Sequence, residues 1–223
     1  MVRSRQKEIR RQSILDAAEE LIRETRSTDF PMLLLAERAG TSPATPYNAF
    51  GGKASILYAL LVKSLDTIFF DFDKVTLRMK PHEVALAAAK GAADFFIADP
   101  DYYRPLYHYL IGVSDQVYRP SYLNRALNYW RSALAPLRRA ENLRDDIERD
   151  ALARLMMILF LGALDLWVQG EITHEEFRAH IVYGAASLLC SVVNAADREE
   201  LGAILEKAKE HMPRNYSFVK NES

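Results

Sequence analysis

The sequence predicts an all-α protein of two parts, and three observations support this. Apolar residues recur with a 3.6-residue period through most of the 223 residues, and no stretch alternates as a strand does. Glycine and proline are scarce, with nine residues of each in the chain. The two shortest predicted segments, residues 32–39 and 43–49, both lie before residue 60. We therefore expect a small N-terminal helical domain, residues 1–60, and a larger helical domain, residues 61–223.

The first predicted helix covers residues 7–25. Its apolar side chains have the i, i+3, i+4, i+7, i+8 spacing that places them on one face. They are Ile14, Ala17, Ala18, Leu21 and Ile22. Ser-Thr-Asp at 27–29 ends this helix, and Pro31 suits the start of a second one, over residues 32–39.

Glycines mark the ends of the next segments. Gly40 is expected to end the second helix in the left-handed conformation. Ser42 and Pro43 are typical of an N-cap followed by a first-turn residue, so a third, two-turn helix is predicted over 43–49. Gly51 and Gly52 separate it from a fourth helix, residues 53–70.

Two short helices joined by the turn Gly40-Thr41-Ser42 form a helix-turn-helix, which places its second helix in the major groove of DNA. Ala36 and Ala39 are small enough for the helices to cross closely. Leu21, Phe50 and Leu57 are the expected core anchors. An ordinary αα-corner has the same pattern, so the pattern alone leaves DNA binding open.

Six more helices are predicted beyond residue 71, separated by Asp-Pro, Arg-Pro and Gly-Glu breaks. They are residues 82–98, 101–113, 121–139, 147–169, 173–195 and 197–211.

Charge is unevenly distributed along the chain. Residues 1–63 carry ten Lys/Arg against seven Asp/Glu, whereas the remainder carries nineteen against twenty-three. Five of the basic residues lie within residues 1–11. This basic end favours an anionic partner, although a solvated basic arm has the same composition.

Four short motifs, in this order and spacing, resemble the tetracycline-repressor (TetR) family of bacterial transcriptional regulators. They are ILDAAEELI at 14–22, LAERAGTS at 35–42, TPYNAF at 45–50, and Lys53 followed by SIL at 55–57. The remaining 160 residues match only in helical pattern. Two features depart from the family: Pro31 stands where Ser or Thr usually caps the second helix, and Leu33 and Leu34 replace polar residues.

The third helix carries the candidate DNA contacts. Thr45 and Asn48 lie three residues apart on one face, and both can hydrogen-bond base edges or phosphates. The resemblance implies a phosphate contact for the Tyr47 hydroxyl, whereas a half-buried core aromatic is the alternative. The full set of candidate DNA-binding residues is Ser42, Ala44, Thr45, Tyr47, Asn48, Lys53, Arg3, Arg5 and Lys7.

Lys53 stands in the first turn of a helix, where the helix dipole disfavours a cation. This placement makes sense if the lysine and nearby backbone N–H groups hold a phosphate together.

The segment at 147–169 is apolar nearly all round, residues 181–193 of the next segment are similar, and Gly184 allows a close approach. A monomer of this size buries two such helices poorly, so we expect a homodimer through this pair, which the TetR resemblance also implies. An internal helix hairpin is the alternative.

Aromatic residues are dense in the larger domain and suggest a pocket for a small apolar or aromatic effector, although plain core packing has the same composition. The candidate ligand-binding residues are Phe69, Phe96, Tyr103, Tyr107, Trp130, Asp165 and Trp167. Asp165 shares a helix face with Arg154 and Gln169, and this face points either to a ligand or to solvent.

No catalytic, cofactor or metal motif is present, so we expect neither an enzyme nor a bound cofactor or metal. The single cysteine, Cys190, excludes an intramolecular disulfide and suits a reducing cytoplasm. The longest uncharged apolar run, Leu155–Leu164, is too short to cross a bilayer, so no membrane association is expected.

Together these features predict a ligand-responsive regulator, a repressor that binds a palindromic double-stranded operator as a homodimer and is released by a small molecule. The alternative is a helical ligand-binding protein or enzyme in which the helix-turn-helix is only structural. An activator or adaptor is a further alternative.

Overall fold

The structure is a computed structural model that describes residues 2–75, 79–139, 143–144 and 146–212. The side chains at 2–4, 69–75, 138–139 and 196 lie outside this description. Within the described residues the chain forms ten helices, and the one β-bridge pairs Leu143 with Val193, which confirms the all-α prediction. The helices are α1 Val2–Thr25, α2 Met32–Arg38, α3 Ala44–Phe50, α4 Lys53–Val75, α5 Pro81–Ile97, α6 Pro100–Leu110, α7 Tyr118–Arg139, α8 Arg149–Val168, α9 His174–Val192 and α10 Ala195–Lys209.

Most helix ends lie within three residues of their predicted positions. The largest differences are the start of α1, at Val2 instead of Lys7, and the end of α4, at Val75 instead of Phe70. No glycine or proline interrupts either extension, so nothing in the sequence stops the helix there.

The chain divides into two compact units. The first comprises Met1–Thr67 and Asp99–Arg125, and the second Ile68–Ala98 and Ala126–Ser223. By packing, α6 and the start of α7 therefore belong with the N-terminal helices. The division of the chain at residue 60, into a DNA-binding domain and a domain for ligand binding and dimerisation, stays a prediction.

In the first unit, α1 contacts α2, α3 and α6, and α2 contacts α3. The predicted stripe of α1 is buried throughout, with no member more than 4% exposed. Leu21, Phe50 and Leu57 are buried as predicted. The core therefore holds the two short helices against the long first one.

In the second unit, α9 contacts α5, α8 and α10. The predicted close approach at Gly184 is confirmed: a Cβ atom there would lie 2.6 Å from Leu159 Cδ2 of α8. Glycine at this position therefore leaves room for the Leu159 side chain against α9.

By length and composition alone, α8 is long and apolar enough to cross a membrane, which the ten-residue run did not suggest. Core helices of soluble proteins meet the same criterion, and eight of its residues are buried here, including Phe160 and Trp167. The criterion is therefore weak evidence for a membrane span.

Candidate nucleic-acid interface

The turn between α2 and α3 has the left-handed geometry that the sequence predicts. Gly40 has φ +64°, its N–H donates to Glu37 O at 3.0 Å, and the N–H of Thr41 donates to Ala36 O at 2.9 Å. These two bonds satisfy carbonyl groups at the end of α2 in a Schellman motif. Gly51, with φ +90°, ends α3 in turn, and its N–H donates to Tyr47 O at 2.7 Å.

The start of α3 differs from the predicted cap. Pro43 is the N-cap residue, and no side chain caps the helix. The carbonyl of Ser42, rather than its hydroxyl, accepts the Thr45 N–H at 2.9 Å. The Ser42 hydroxyl lies 2.8 Å from the Thr45 hydroxyl, so the two form a side-chain pair at the surface.

The outer face of α3 is polar and accessible. Tyr47 is 51% exposed, so it is not a core aromatic, and Asn48 and Ala44 are also exposed. Pro46 and Phe50 are buried on the opposite side. The face therefore carries a phenol hydroxyl and a carboxamide that take no part in the packing of the core.

Lys53 is the first residue of α4 and is only partly exposed. Its ammonium donates to Phe30 O at 2.8 Å and lies 4.4 Å from the centre of the Phe30 ring. Partial burial lowers the pKa of this ammonium. One of its three donors is therefore used inside the protein.

The basic N-terminal segment is part of α1 rather than an irregular arm. Arg5, Lys7 and Arg10 are exposed on the helix, and the side chain of Arg3 lies outside the described residues. On α2, Leu33 and Leu34 are 54% and 38% exposed, so the departures from the family pattern lie at the surface.

Sequence reasoning missed Arg11 as a residue that contacts α3. Its Nη1 donates to Ala49 O, and its Nη2 lies 2.6 Å from the Tyr118 hydroxyl. A signal for it exists in the sequence, because Arg11 stands three and seven residues before Ile14 and Ala18. That spacing places the arginine on the buried face of α1.

The aromatic candidates in the second unit pack against one another around Phe160. Its ring centre lies 5.7 Å from that of Phe96 and 5.8 Å from that of Trp130. Phe177 joins Phe160 to Trp167, on which it stacks at 5.4 Å. Phe96, Trp130 and Trp167 are thus brought together as a continuous buried cluster.

The tyrosine candidates belong to the first unit. Tyr103 and Tyr107 are buried on α6, and the Tyr107 hydroxyl contacts that of Tyr122. Burial raises the pKa of Tyr103 and that of Tyr122 to about 12. These hydroxyls are therefore neutral at physiological pH. Phe69 has no described side chain.

The charged face of α8 is solvated. Asp165, Arg154 and Gln169 are all exposed. Two surface grooves, of about 450 and 360 Å³, are lined by α5, α9 and α10 and include none of the predicted ligand residues. Among the described residues, no group of three His, Cys, Asp or Glu side chains could hold a metal ion.

Three solved structures show what this architecture is similar to. A TetR transcriptional regulator from Rhodococcus sp. RHA1 is 20% identical with a TM-score of 0.64, over 82% of this chain and 97% of that one. SmeT, the repressor of the Stenotrophomonas maltophilia multidrug efflux pump SmeDEF, is 20% identical with a TM-score of 0.59, over 83% and 91%. An ArpA-like γ-butyrolactone receptor is 16% identical with a TM-score of 0.53, over 92% and 100%.

Neither a protein-family model nor a curated protein sequence matches the chain. The structural likeness extends over most of both chains, well beyond the first 60 residues in which the sequence motifs lie. It confirms the resemblance drawn from those motifs at the level of the fold.

Proposed function

We propose that this chain, which has the fold of the TetR-type regulators, is a transcriptional regulator that binds double-stranded DNA through α3. The observation that carries the proposal is the exposed polar face of a seven-residue helix fixed at both ends by left-handed glycines. Such a short helix is not stable alone, so the protein must hold it in place. A role in core packing would not need Tyr47 and Asn48 at the surface.

The proposed contacts follow from the chemistry of this face. Asn48 is suited to bidentate bonding with adenine, and the Thr45 methyl and hydroxyl suit a thymine methyl or a phosphate. Tyr47, Ser42 and Lys53 would bind phosphates, with the exposed Arg5 and Lys7 adding basic charge nearby.

We propose a homodimer through α8 and α9, which presents two α3 helices to a near-palindromic operator. On α8, Leu155 is 50% exposed and Ile158 is 56% exposed, one turn apart. Burial of these two apolar side chains against a second copy would be the most favourable in free energy, because the side chains on the inner face of α8 are already packed.

The proposed effector is small and apolar or aromatic, and binding releases the operator through a movement of α4. We place it near the cluster of Phe96, Trp130 and Trp167, where it would contact rings rather than charges. Only a ligand that binds more tightly to the conformation unable to bind DNA can release the operator. Function of this kind places the protein in the cytoplasm, and no enzymatic step is part of it.

Footprinting of the native protein on genomic DNA tests the function directly. We expect protected sites with two half-sites about 34 Å apart, as for a dimer with two reading helices. Protein that protects no site, in the absence of added ligand and at low salt, contradicts DNA binding as its function.

The effector site can be tested without knowing the ligand. Both tryptophans of the chain, Trp130 and Trp167, lie in the aromatic cluster. A panel of planar aromatic compounds should include one that changes tryptophan emission and weakens operator binding at the same concentration. A compound that weakens DNA binding with no effect on either tryptophan argues for a site elsewhere.

A further inference from the structure

We infer that Arg11 and Tyr118 form a clamp that positions α3 for DNA, with Tyr118 acting from the first residue of α7. This inference rests on the proposed function, because it names what fixes the DNA-binding helix. It assigns a positioning role to two residues of which neither belongs to the predicted DNA-contact set.

Arg11 holds the C-terminal end of α3 in two ways. Its Nη1 donates to the carbonyl of Ala49, one of the last-turn carbonyls that have no partner within the helix. Its guanidinium lies over the ring of Phe50, with Cζ 4.1 Å from the ring centre. A single side chain therefore fixes both the backbone and the last aromatic ring of α3.

Tyr118 completes the clamp from the other side. Its hydroxyl lies 2.6 Å from Arg11 Nη2, and its ring centre lies 6.1 Å from that of Phe50. The guanidinium thus bonds to α3 and to α7 at once. Because guanidinium donors are directional, the position of Tyr118 constrains where Arg11 can place the carbonyl of Ala49.

The start of α7 is itself fixed within the first unit. Asp115 accepts the N–H groups of Val117 and Tyr118 at 2.9 and 2.5 Å, and its other oxygen accepts the Ser55 hydroxyl of α4 at 2.6 Å. One turn into α7, the hydroxyl of Tyr122 contacts that of Tyr107 on α6. The first turns of α7 are therefore tied to α3, α4 and α6.

The physical consequence is a defined route by which α7 acts on α3. A shift of the first turn of α7 moves the partner of Arg11, and with it the end of α3 that carries Tyr47 and Asn48. This route differs from the proposed movement of α4, because it reaches α3 through the side chains of Tyr118 and Arg11 rather than along the chain. Directional bonds and a packed ring transmit such a shift better than loose contacts do.

DNA affinity across a range of salt concentrations separates positioning from direct contact. The full-length variants are Tyr118→Phe, Arg11→Gln and the double variant, measured on a footprinted site. The control is Tyr129→Phe, which removes another α7 hydroxyl, one that donates to Ala88 O in the second unit at 2.7 Å.

We expect Tyr118→Phe to weaken binding about tenfold, the effect of one hydrogen bond to a charged group. The dependence on salt should keep its slope, the double variant should bind no worse than Arg11→Gln, and the control should match the wild type. A Tyr118→Phe variant that binds like the control overturns the inference. So does a slope that falls by about 0.9 in Arg11→Gln, since that marks a lost phosphate contact.

Amide hydrogen exchange on the free protein gives an independent readout. We expect faster exchange of the α3 amides in Tyr118→Phe and unchanged exchange in α9, whereas unchanged exchange in α3 overturns the clamp. If the wild-type protein binds no DNA, the proposed function fails while this measurement still decides whether the clamp exists.

Discussion

The outer faces of α3 and α8 are both exposed, yet they differ in length and chemistry. The seven residues of α3 present a phenol and a carboxamide to solvent, whereas the twenty residues of α8 present Leu155 and Ile158. A polar face retains its water until a partner with matching donors and acceptors replaces it, so its contacts can be reversible. An apolar face gains free energy whenever it is covered, which suits a lasting interface.

The two helices also differ in what holds them. α8 has a buried face with eight side chains in the core, so its own packing stabilises it. α3 buries only Pro46 and Phe50 and depends on its two glycine turns and on Arg11. Exposure alone therefore does not define a binding surface, because the contacts on the inner side of a helix determine how rigidly its outer face is held.

The buried face of α8 should show the largest effect on stability. Trp167 is fully buried and stacks on Phe177, so Trp167→Ala leaves a cavity and should lower the free energy of unfolding by about 3–5 kcal/mol. Urea denaturation measures this loss. Trp167→Phe serves as the milder control, and a loss below 1 kcal/mol for alanine would mean that α8 is not a core helix.

The exposed face of α8 should affect association instead. Ile158→Asp would place an unpaired charge in the proposed dimer interface and weaken dimerisation by about 3 kcal/mol or more. Sedimentation equilibrium should then show monomers with an unchanged helical spectrum. Ile111→Asp, a change at a 42% exposed apolar residue of the first unit, is the control. A dimer that tolerates Ile158→Asp would move the interface away from this face.

The outer face of α3 should affect DNA binding with little effect on folding. Asn48→Ala removes a side chain suited to base recognition, so specific affinity should fall by about 1–3 kcal/mol. Titration of a footprinted duplex and of a scrambled duplex measures the two affinities. Nonspecific binding should hardly change, and an equal loss on both duplexes would show that Asn48 reads no base.

Lys53 should have the smallest effect, because part of its bonding is internal. Lys53→Met keeps the aliphatic stem and removes the ammonium, so operator affinity should fall by about 1 kcal/mol and the salt slope by about 0.9. Affinity measured at several salt concentrations gives both values. A loss of stability with an unchanged slope would instead assign Lys53 to anchoring Phe30.

The sequence predicts the helices well, because the 3.6-residue period and the glycine turns are local signals. Gly40 has the left-handed conformation expected of it, Gly51 ends α3 as expected, and Leu21 and Ile22 are buried as their stripe requires. The predicted Ser42 cap is wrong: Pro43 fills the N-cap position, and the Ser42 hydroxyl pairs with that of Thr45.

The features that could not be predicted from the sequence depend on contacts between residues far apart in the chain. Arg11 lies within a cluster of basic residues, and nothing local indicates that its partners are Ala49 and Tyr118, 38 and 107 residues away. The placement of α6 in the first unit likewise depends on packing with α1. The outer contacts of Asn48 and Lys53, and the effector residues, stay predictions.

Because α8 and α9 cross closely, the side chains at positions 159 and 184 limit each other in size. A Cβ at residue 184 would meet the side chain of Leu159, so a larger residue there requires that leucine to change its rotamer or to be replaced by a smaller residue. Homologues should therefore trade volume between these positions. Enlarging residue 184 without shrinking residue 159 would disturb the packing of α8 on α9, and with it the face proposed for dimerisation.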